Sequence, residues 1–215
     1  MSEEIVVVVS GGELPDPRAA SVAPLGAPVV AADKGLEHAL ALGLDVTLAV
    51  GDFDSASPEA VAVAESAGVR IERHPDEKDA TDLELALDAA VAIAPARILV
   101  LAGGGGRLDH QLSTLMLLAS ERYARAHVDA FVGSAWIHVV RGSRALEGAP
   151  GEVVSLLAVG GPAEGVTTEG LAYPLRGETL EAGSSRGISN VFASNIAHVS
   201  VEDGVLLAIR PGDAR

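Results

Sequence analysis

Short apolar runs alternate with helical segments through the first 126 residues, and this alternation restricts the fold more than any other feature. The run Ile5–Val9 is continuous and β-branched and ends in Ser10-Gly11-Gly12, as a buried parallel strand entering a turn does. Further strands are predicted at Val29–Ala32, Val46–Val50, Val69–Glu72 and Ile98–Ala102, and helices at Leu36–Leu42, Pro58–Ala67, Thr81 to just before Pro95, and Leu108 to about Ala126. Strands that alternate with helices indicate a mostly parallel sheet with helices on both faces.

Residues at the ends of the predicted helices support their positions. Ser57 stands where an N-cap is expected, and Thr81-Asp82-Leu83-Glu84 fits a capping box. Gly43 and Gly68 follow two of the helices and are typical C-terminal stops. The helix that begins after Thr81 is therefore the clearest one in the sequence.

After about residue 130 the helical periodicity disappears, and short strands alternate with turns that contain Gly, Pro and Ser. Strands are predicted at Ala135–Val140, Glu152–Val159, Gly165–Leu175 and Gly187–Phe192, with Arg141–Gly151 as a passage between them. The segment His198–Ile209 is predicted to be a hairpin that turns at Asp203-Gly204. We therefore expect an α/β fold, with a mostly parallel α/β domain over residues 1–134 and a small all-β domain over residues 135–215.

Composition excludes several classes of function. The formal net charge is −15, whereas a nucleic-acid-binding protein needs a basic surface. The absence of cysteine excludes disulfides, thiolate zinc sites and cysteine nucleophiles. No stretch approaches the length of a membrane span, and the first residues are acidic where a signal peptide is basic, so a cytoplasmic protein is expected. Lysine occurs only as Lys34 and Lys78, each beside an aspartate.

Acidic residues cluster at the predicted ends of strands. Asp33 follows the second strand, Asp52 and Asp54 follow the third, and the acidic segment 76–82 runs into a helix N-terminus. In an open parallel sheet ligands bind at the carboxyl ends of strands, so these acids are expected to converge. Asp52 and Asp54 suit Mg²⁺, which prefers a few carboxylates together with waters and phosphates. Turn formation and helix capping also explain such acids, above all Asp82, whose charge at a helix start contributes about 0.3–1 kcal/mol.

A glycine run, Gly103–Gly106, connects a predicted strand to a helix and precedes Arg107. Glycines let the backbone approach a phosphate, and an arginine adds a fixed positive fork. The run lacks the lysine and hydroxyl ending of a P-loop and is not a dinucleotide fingerprint, so a flexible connection would look the same. His110 is at the start of the next helix, and neither a Ser-His-Asp order nor a pair of histidines at metal-ligand spacing stands out in the sequence.

Taken in order, these clusters resemble the thiamine pyrophosphokinase (thiamine diphosphokinase) family. The matching stretches are Ala31-Ala32-Asp33-Lys34-Gly35, Gly51-Asp52-Phe53-Asp54-Ser55, Lys78-Asp79-Ala80-Thr81-Asp82-Leu83-Glu84, Gly106-Arg107-Leu108-Asp109-His110, Thr168-Glu169-Gly170-Leu171-Ala172-Tyr173-Pro174-Leu175 and Gly187-Ile188-Ser189-Asn190. Each motif alone is weak, but together they span almost the whole chain.

The resemblance implies an α/β catalytic domain, a C-terminal β-sandwich that binds thiamine, and a homodimer with its sites between subunits. It implies transfer of pyrophosphate from ATP to the thiamine hydroxyl, with AMP as the second product and Mg²⁺ as cofactor. By similarity, Asp52, Asp54 and Asp82 would hold Mg²⁺ and, with Arg107, form the catalytic set. Substrate-binding positions implied in the same way are Asp33, Lys78, Asp79, Thr81, Gly106, Asp109 and His110 for the nucleotide and reaction site, and Ser189 and Asn190 for thiamine.

The sequence departs from the family at Val191, where the family often has glutamate. Aromatic residues are scarce, so the candidates to stack on thiamine are Trp136, Tyr173 and Phe192. Two other functions fit the same residues. One is an Mg²⁺-dependent phosphohydrolase that uses a strand-end aspartate as nucleophile, and the other is a non-catalytic sensor of thiamine or nucleotide.

Overall fold

The computed structural model describes residues 4–212 and divides them into two compact units. The first comprises the described residues up to Leu117 together with Arg125–Gly133, and the second comprises Leu118–Ala124 together with the described residues from Ser134 onward. Within the described residues no helix combines the length and apolarity that crossing a membrane would take.

The first unit is an α/β structure. Its strands are β1 (Ile5–Val9), β2 (Val29–Ala32), β3 (Val46–Gly51), β4 (Arg70–Arg73), β5 (Arg97–Ala102) and β6 (His127–Val132). Its helices are α1 (Ala19–Val22), α2 (Gly35–Ala41), α3 (Pro58–Ser66), α4 (Asp82–Ala92) and α5 (Leu108–Leu118). The strands run parallel in the order β6-β5-β1-β2-β3-β4, so that β1, the first strand in the sequence, lies inside the sheet.

Local signals account for where these helices begin. Ser57 Oγ accepts a hydrogen bond from Ala60 N at 3.3 Å, and Thr81 Oγ1 accepts one from Glu84 N at 3.2 Å. Gly43 and Gly68, with φ of +70° and +88°, end α2 and α3 in the conformation that favours glycine. The predicted caps and stops are confirmed.

Helix α5 is shorter than predicted, because it ends at Leu118 instead of continuing to about Ala126. Ser120 caps a separate 3₁₀ helix, Glu121–Tyr123, and the Arg141 guanidinium donates to the carbonyl of Ala119. The prediction was wrong because the helical spacing continues in the sequence, whereas Arg141, 22 residues further along the chain, donates to a backbone carbonyl where the helix stops.

Strand β6 was absent from the prediction because a charge interrupts its apolar residues. Asp129 lies in the middle of the strand and is completely buried. Its Oδ2 accepts a hydrogen bond from Arg97 Nε at 2.6 Å, so the charge has a partner on the neighbouring strand. Periodicity cannot indicate such a pairing.

The second unit is a β-sandwich. Its strands are β7 (Ala135–Val140), β8 (Ser143–Glu147), β9 (Val153–Ala158), β10 (Ala163–Glu169), β11 (Arg176–Leu180), β12 (Asn190–Val191), β13 (Ile196–Ser200) and β14 (Leu206–Arg210). In the described part of the unit, β12-β9-β14-β7 lie side by side, and β11-β10-β13-β8 form a second sheet. Buried residues of both groups, such as Val154, Leu206, Val166 and Val199, share one core. The α/β fold class with a C-terminal β-sandwich is confirmed.

Several details of the second unit differ from the prediction. The strand predicted at Gly165–Leu175 ends at Glu169, the strand predicted at Gly187–Phe192 is limited to Asn190–Val191, and β11 was not predicted. The segment Arg141–Gly151 contains strand β8 and is more than a passage. The hairpin predicted over His198–Ile209 is wrong, because β13 pairs with β10 and β8, whereas β14 pairs with β7 and β9. Asp203-Gly204 thus lies in a connection between the two sheets. A Cβ at residue 204 would lie 2.4 Å from the Pro162 carbonyl oxygen, so close packing requires this glycine.

Candidate active site

Asp33, Asp52 and Asp82 come together at the carboxyl end of the parallel strands. Each offers one carboxylate oxygen, and these oxygens lie within 4.8 Å of one another. Asp33 follows β2, Asp52 follows β3, and Asp82 is the first residue of α4. Because Ala32 is paired with Val50 in the sheet, the segments that follow β2 and β3 begin at the same level. We call these three residues the carboxylate group.

The backbone turns sharply where it presents these side chains. Asp33 and Phe53 have φ of +48° and +60°, a region that residues other than glycine seldom occupy and that is often found at functional sites. A Cβ at Gly51 would lie 3.1 Å from Asp33 Cβ, so the absence of a side chain at Gly51 lets the end of β2 pack closely against the end of β3. The Arg73 guanidinium lies 5.2 Å from the centroid of the Phe53 ring and packs against this turn.

The Asp33 carboxylate is almost fully buried, at 6% exposure. Its Oδ2 accepts a hydrogen bond from Ser55 Oγ, whereas Oδ1 is buried and has no hydrogen-bond partner among the described residues. A buried polar atom without a partner costs about 1–3 kcal/mol, so its presence in a folded protein points to a function. The sequence motif contained Ser55, but its link to Asp33 depends on the adjacency of β2 and β3.

Lys78 lies inside the carboxylate group. Its Nζ donates to Asp52 Oδ2 and lies 2.9 Å from Asp82 Oδ1. The hydrogen bond from Lys78 lowers the pKa of Asp52, whereas burial raises the pKa of Asp82 despite the same ammonium. Burial lowers the pKa of Lys78, but the hydrogen bond to Asp52 and the ion pair with Asp82 outweigh it and raise the pKa overall. The location therefore stabilises positive charge.

The carboxylate group fits a divalent cation. Mg²⁺ binds oxygen atoms at about 2.1 Å, so two of its ligands lie up to about 4.2 Å apart, and the three oxygens here lie within 4.8 Å of one another. The donors are carboxylates, and the unpartnered Asp33 Oδ1 offers a further lone pair. Asp33, Asp52 and Asp82 are thus the residues that could hold Mg²⁺.

Three other predicted site residues of this region, Asp54, Asp79 and Thr81, are not members of the carboxylate group. Asp54 is exposed, and its backbone N donates to Asp52 Oδ1 at 3.2 Å, so the described geometry leaves its side chain outside the carboxylate group. Asp79 is exposed in the loop before α4. The Thr81 hydroxyl caps α4 and so fixes the start of the helix that carries Asp82.

The glycine run is packed against the segment after β1. A Cβ at Gly103 would lie 2.2 Å from the Glu13 carbonyl oxygen, and one at Gly106 would lie 3.3 Å from Glu13 Cγ. No sequence motif indicated this role of Glu13. Arg107 Nη2 donates to Asp109 Oδ2 at 2.6 Å, and both side chains are exposed, as is His110. This pair raises the pKa of Arg107 and lowers that of Asp109.

Ser189 and Asn190 belong to the second unit and differ in their surroundings. Ser189 is exposed with φ of +57°, and its N donates to Ser155 Oγ at 3.1 Å. Asn190 is buried, and its amide holds the backbone of another segment. Oδ1 accepts from Tyr173 N at 3.0 Å and from Val191 N at 2.9 Å, and Nδ2 donates to Tyr173 O at 2.7 Å. Its side chain is therefore used to position the chain around Tyr173.

The aromatic candidates also differ. Phe192 is buried in the sandwich core, where its ring would lie 2.7 Å from a Cβ at Gly148. Trp136 stacks on His138, with ring centroids 5.7 Å apart, and Tyr173 is exposed. Burial in the core excludes Phe192 as a stacking partner for a ligand, which leaves Trp136 and Tyr173.

A cavity of about 720 Å³ lies elsewhere in the first unit. It is lined by residues of β4 and α4, including Arg70, Glu72 and Leu85. None of the predicted site residues lines it. The chemistry predicted from the sequence therefore belongs to the strand ends.

Two family models match the chain in the order of the two units. Residues 26–129 match the model described as "Thiamin pyrophosphokinase, catalytic domain", and residues 137–206 match "Thiamin pyrophosphokinase, vitamin B1 binding domain". Together they account for most of the chain. The chain belongs to the thiamine pyrophosphokinase family. The family predicted from the sequence is thus confirmed.

Individual thiamine pyrophosphokinases are similar along nearly the whole chain. The thiamine pyrophosphokinase of Bacillus subtilis is 29% identical over 194 residues, which cover 86% of this chain and 87% of that protein. A crystal structure of the Bacillus subtilis protein has a TM-score of 0.84 and 26% identity, covering 98% of this chain and 100% of the other. The thiamin pyrophosphokinase of Geobacillus thermodenitrificans has a TM-score of 0.81 and 28% identity, with 98% of each chain covered.

Family membership bears on the alternatives left open by the residues. Both matched domains are those of a thiamine pyrophosphokinase, so neither the phosphohydrolase nor the sensor is favoured. The carboxylate group lies inside the range that matches the catalytic domain. The enzyme class predicted from the sequence is confirmed.

Proposed function

We propose that this chain is a thiamine diphosphokinase, which transfers pyrophosphate from ATP to the hydroxyl of thiamine and releases AMP. The observation that carries the proposal is the match to a catalytic and a vitamin B1 binding domain in that order, with the carboxylate group inside the first. In this reaction the thiamine oxygen attacks the β-phosphorus, and the bond from that phosphorus to the α-phosphate oxygen breaks.

The first unit is proposed to hold Mg²⁺ and the phosphates of ATP. Asp33, Asp52 and Asp82 supply a buried or half-buried set of carboxylates, which is the donor set that Mg²⁺ prefers. When bound, Mg²⁺ supplies positive charge that offsets the charge of the transferring phosphates. Asp54 lies at the exposed edge of the same turn, where it can contact a nucleotide-bound cation.

Groups beyond the carboxylates are proposed to orient the nucleotide. Gly106 has φ of +74° in a loop at the N-terminus of α5, where the backbone can approach a phosphate. Arg107 presents an exposed guanidinium beside Asp109, and a phosphate could exchange with that carboxylate. Asp79 and His110 are exposed and complete the nucleotide positions implied by the family resemblance.

The second unit is proposed to bind thiamine. Exposed Ser189 offers a hydroxyl, and Asn190 fixes the segment that carries exposed Tyr173, a ring suited to stack on a heterocycle. Thiamine carries a positive ring, so a chain with a net charge of −15 attracts it at a distance.

We further propose a homodimer with its sites between subunits. Helix α5 exposes Leu108, Leu112 and Met116 at 77%, 56% and 61%, and these residues form one stripe at i, i+4 and i+8. Exposed apolar stripes mark association sites. The stripe is symmetric about Leu112, so a twofold axis there would place Leu108 against the partner copy's Met116. Asp109 and His110 are the two ionisable residues of α5 and both lie in its first turn, which suits contact between two strongly acidic copies.

The cytoplasmic location of the protein and the absence of nucleic-acid or membrane partners are predictions from the sequence. We propose that the enzyme works in the cytoplasm on ATP and thiamine, and that it binds neither nucleic acid nor membrane. The acidic net charge supports the first of these exclusions.

The deciding experiment is incubation of the purified protein with ATP, Mg²⁺ and thiamine, followed by separation of the nucleotides. AMP and thiamine diphosphate in equal amounts are expected. ADP would instead indicate a simple kinase, phosphate without thiamine use a hydrolase, and no product a sensor. An Asp52→Asn sample prepared in the same way controls for contaminating activity, because it should release almost no AMP.

A further inference from the structure

Lys78 occupies the position that a cation bound to the carboxylate group would need. Its ammonium contacts Asp52 Oδ2 and lies 2.9 Å from Asp82 Oδ1, and its side chain is only 14% exposed. An ammonium is a compact charge on a flexible stem, so it can fill such a position and also leave it. Lys78 lies in the loop between β4 and α4, outside any helix or strand.

Asp52 and Asp82 cannot bind the Lys78 ammonium and a divalent metal ion tightly at the same time. An ammonium and a divalent ion bound to Asp52 and Asp82 together would lie close to each other and repel. Entry of the metal therefore requires the ammonium to move away from at least one of the two oxygens.

Lys78 neutralises the carboxylate group only in part. One ammonium faces three carboxylates, and it leaves Asp33 Oδ1, more than nine-tenths buried, without a partner among the described residues. This oxygen is an independent sign that the group is built for more positive charge than the lysine supplies. The lysine thus acts as a partial substitute for the cation.

We propose that Lys78 is a resident counter-ion that competes with the divalent cation and couples its binding to that of the nucleotide. In the protein alone, Lys78 holds Asp52 and Asp82 and weakens their affinity for metal. When metal enters, the displaced ammonium needs an anionic partner, and a phosphate of ATP supplies one. Metal and nucleotide then favour each other's binding, as reciprocal coupling requires. This role of the nucleotide rests on the proposed function, whereas the competition does not.

The test is the affinity of Mn²⁺ alone for the full chain, measured by electron paramagnetic resonance without nucleotide or thiamine. Mn²⁺ takes the same oxygen ligands as Mg²⁺ and reports binding directly. Lys78→Met should bind Mn²⁺ about tenfold more tightly than the wild type, because the competing charge is gone. In the AMP assay the same variant should turn over more slowly at saturating metal, since the displaced ammonium no longer meets the phosphates.

Two variants serve as controls. Lys78→Arg keeps the charge and should keep the weak Mn²⁺ affinity of the wild type. Lys34→Met removes the same charge beside Asp33, from the half-buried N-cap position of α2, and should change the affinity by less than about threefold. If Lys34→Met tightened Mn²⁺ binding as much as Lys78→Met, net charge would explain the effect and the competition would be refuted.

A lysine that only holds the carboxylates in place predicts the opposite result. Lys78→Met would then bind Mn²⁺ more weakly, and this outcome, or an unchanged affinity in a folded variant, overturns the proposal. Should Lys78→Met be unfolded without metal, Lys78→Gln and the increase of the melting temperature on adding Mn²⁺ replace it, with a larger increase expected than in the wild type. Failure to form AMP in a wild type that shows this competition would refute the proposed function alone.

Discussion

Asp33 follows β2, and its carboxylate is buried. Its backbone has a conformation that costs free energy. A left-handed conformation of a residue other than glycine costs on the order of 1–3 kcal/mol, and the unpartnered Oδ1 adds a desolvation cost. A bound cation would offset the second cost. Single residues in this site are thus arranged for a ligand at the expense of the stability of the protein alone.

The variants Asp52→Asn and Asp54→Asn should both lose turnover but should differ in their affinity for Mn²⁺. Both variants should lower turnover by about a hundredfold or more, because charge on the metal side of the phosphates is worth several kcal/mol. Only Asp52→Asn should also weaken Mn²⁺ binding without nucleotide, because Asp52 belongs to the carboxylate group and Asp54 lies exposed outside it. The assays are AMP release and electron paramagnetic resonance of Mn²⁺. Near-normal turnover in both variants would contradict the metal assignment.

Asn190→Ala should destabilise the protein by about 1–3 kcal/mol, since it removes the part-buried hydrogen bonds that the Asn190 amide makes to the backbone of Tyr173 and Val191. Urea unfolding measures this change. The exposed neighbour provides the control, and Ser189→Ala should stay within about 0.5 kcal/mol of the wild type. Equal stability of both variants would show that the amide does not hold the segment around Tyr173.

At the scale of elements, α5 differs from the helices before it. Helices α2 to α4 each bury at least two apolar side chains, whereas Leu118 is the buried residue of α5 and its stripe Leu108, Leu112 and Met116 is exposed. Apolar residues at helical spacing are usually explained by burial in the core of the same chain. In α5 they fit burial against a second copy better.

Glutamate residues in the exposed stripe of α5 should weaken the association of the two subunits. Leu112→Glu/Met116→Glu should weaken dimerisation at least about tenfold, because acids would face acids across a twofold axis. Light scattering over a dilution series gives the association state, and the melting temperature shows whether the fold persists. Ser113→Glu, exposed on the same helix, adds one of these negative charges beside the stripe without removing an apolar residue from it, and should leave the dimer intact. A stripe variant that stays dimeric would place the interface elsewhere.

At the scale of the whole molecule, two compact units supply different chemistry. The first contains the carboxylates, Lys78 and the glycine run, and the second contains Ser189, Asn190 and the exposed Tyr173. A reaction between ATP and thiamine needs both sets of groups at one place. A homodimer can meet this need with the first unit of one copy and the second unit of its partner.

Mixed dimers test this arrangement. Asp52→Asn subunits and Ser189→Ala/Asn190→Ala subunits should each have little activity, but a mixed dimer would contain one site with both halves intact. With random exchange, half of the dimers are mixed and have one site of two, so activity should return to about a quarter of the wild-type value. AMP release after subunit exchange gives the result. No recovery despite exchange, shown by differently labelled subunits, would mean that each chain builds its own site.

Much of this protein could be predicted from sequence because the signals were local. The β-branched run of β1, the caps Ser57 and Thr81, and the acids after strands each depend on a few neighbouring residues. The general rule that parallel strands present their carboxyl ends at one edge then indicated that acids would meet there. Family membership followed from the order of several such motifs.

Tertiary structure decided what depends on residues far apart in the chain. The adjacency of β2 and β3 brings Asp33 to Asp52, and the return of the chain to α4 places Asp82 and Lys78 beside them. The arginine that meets Ala119 stops α5, and Arg97 allows Asp129 to be buried in β6. These are pairings between separate segments, and their free energy depends on strand order and register, which no local pattern contains. The sequence by itself therefore determined most elements of the first unit, the chemistry of their ends and the family, whereas only the folded chain determined the remaining elements and which charges share a site.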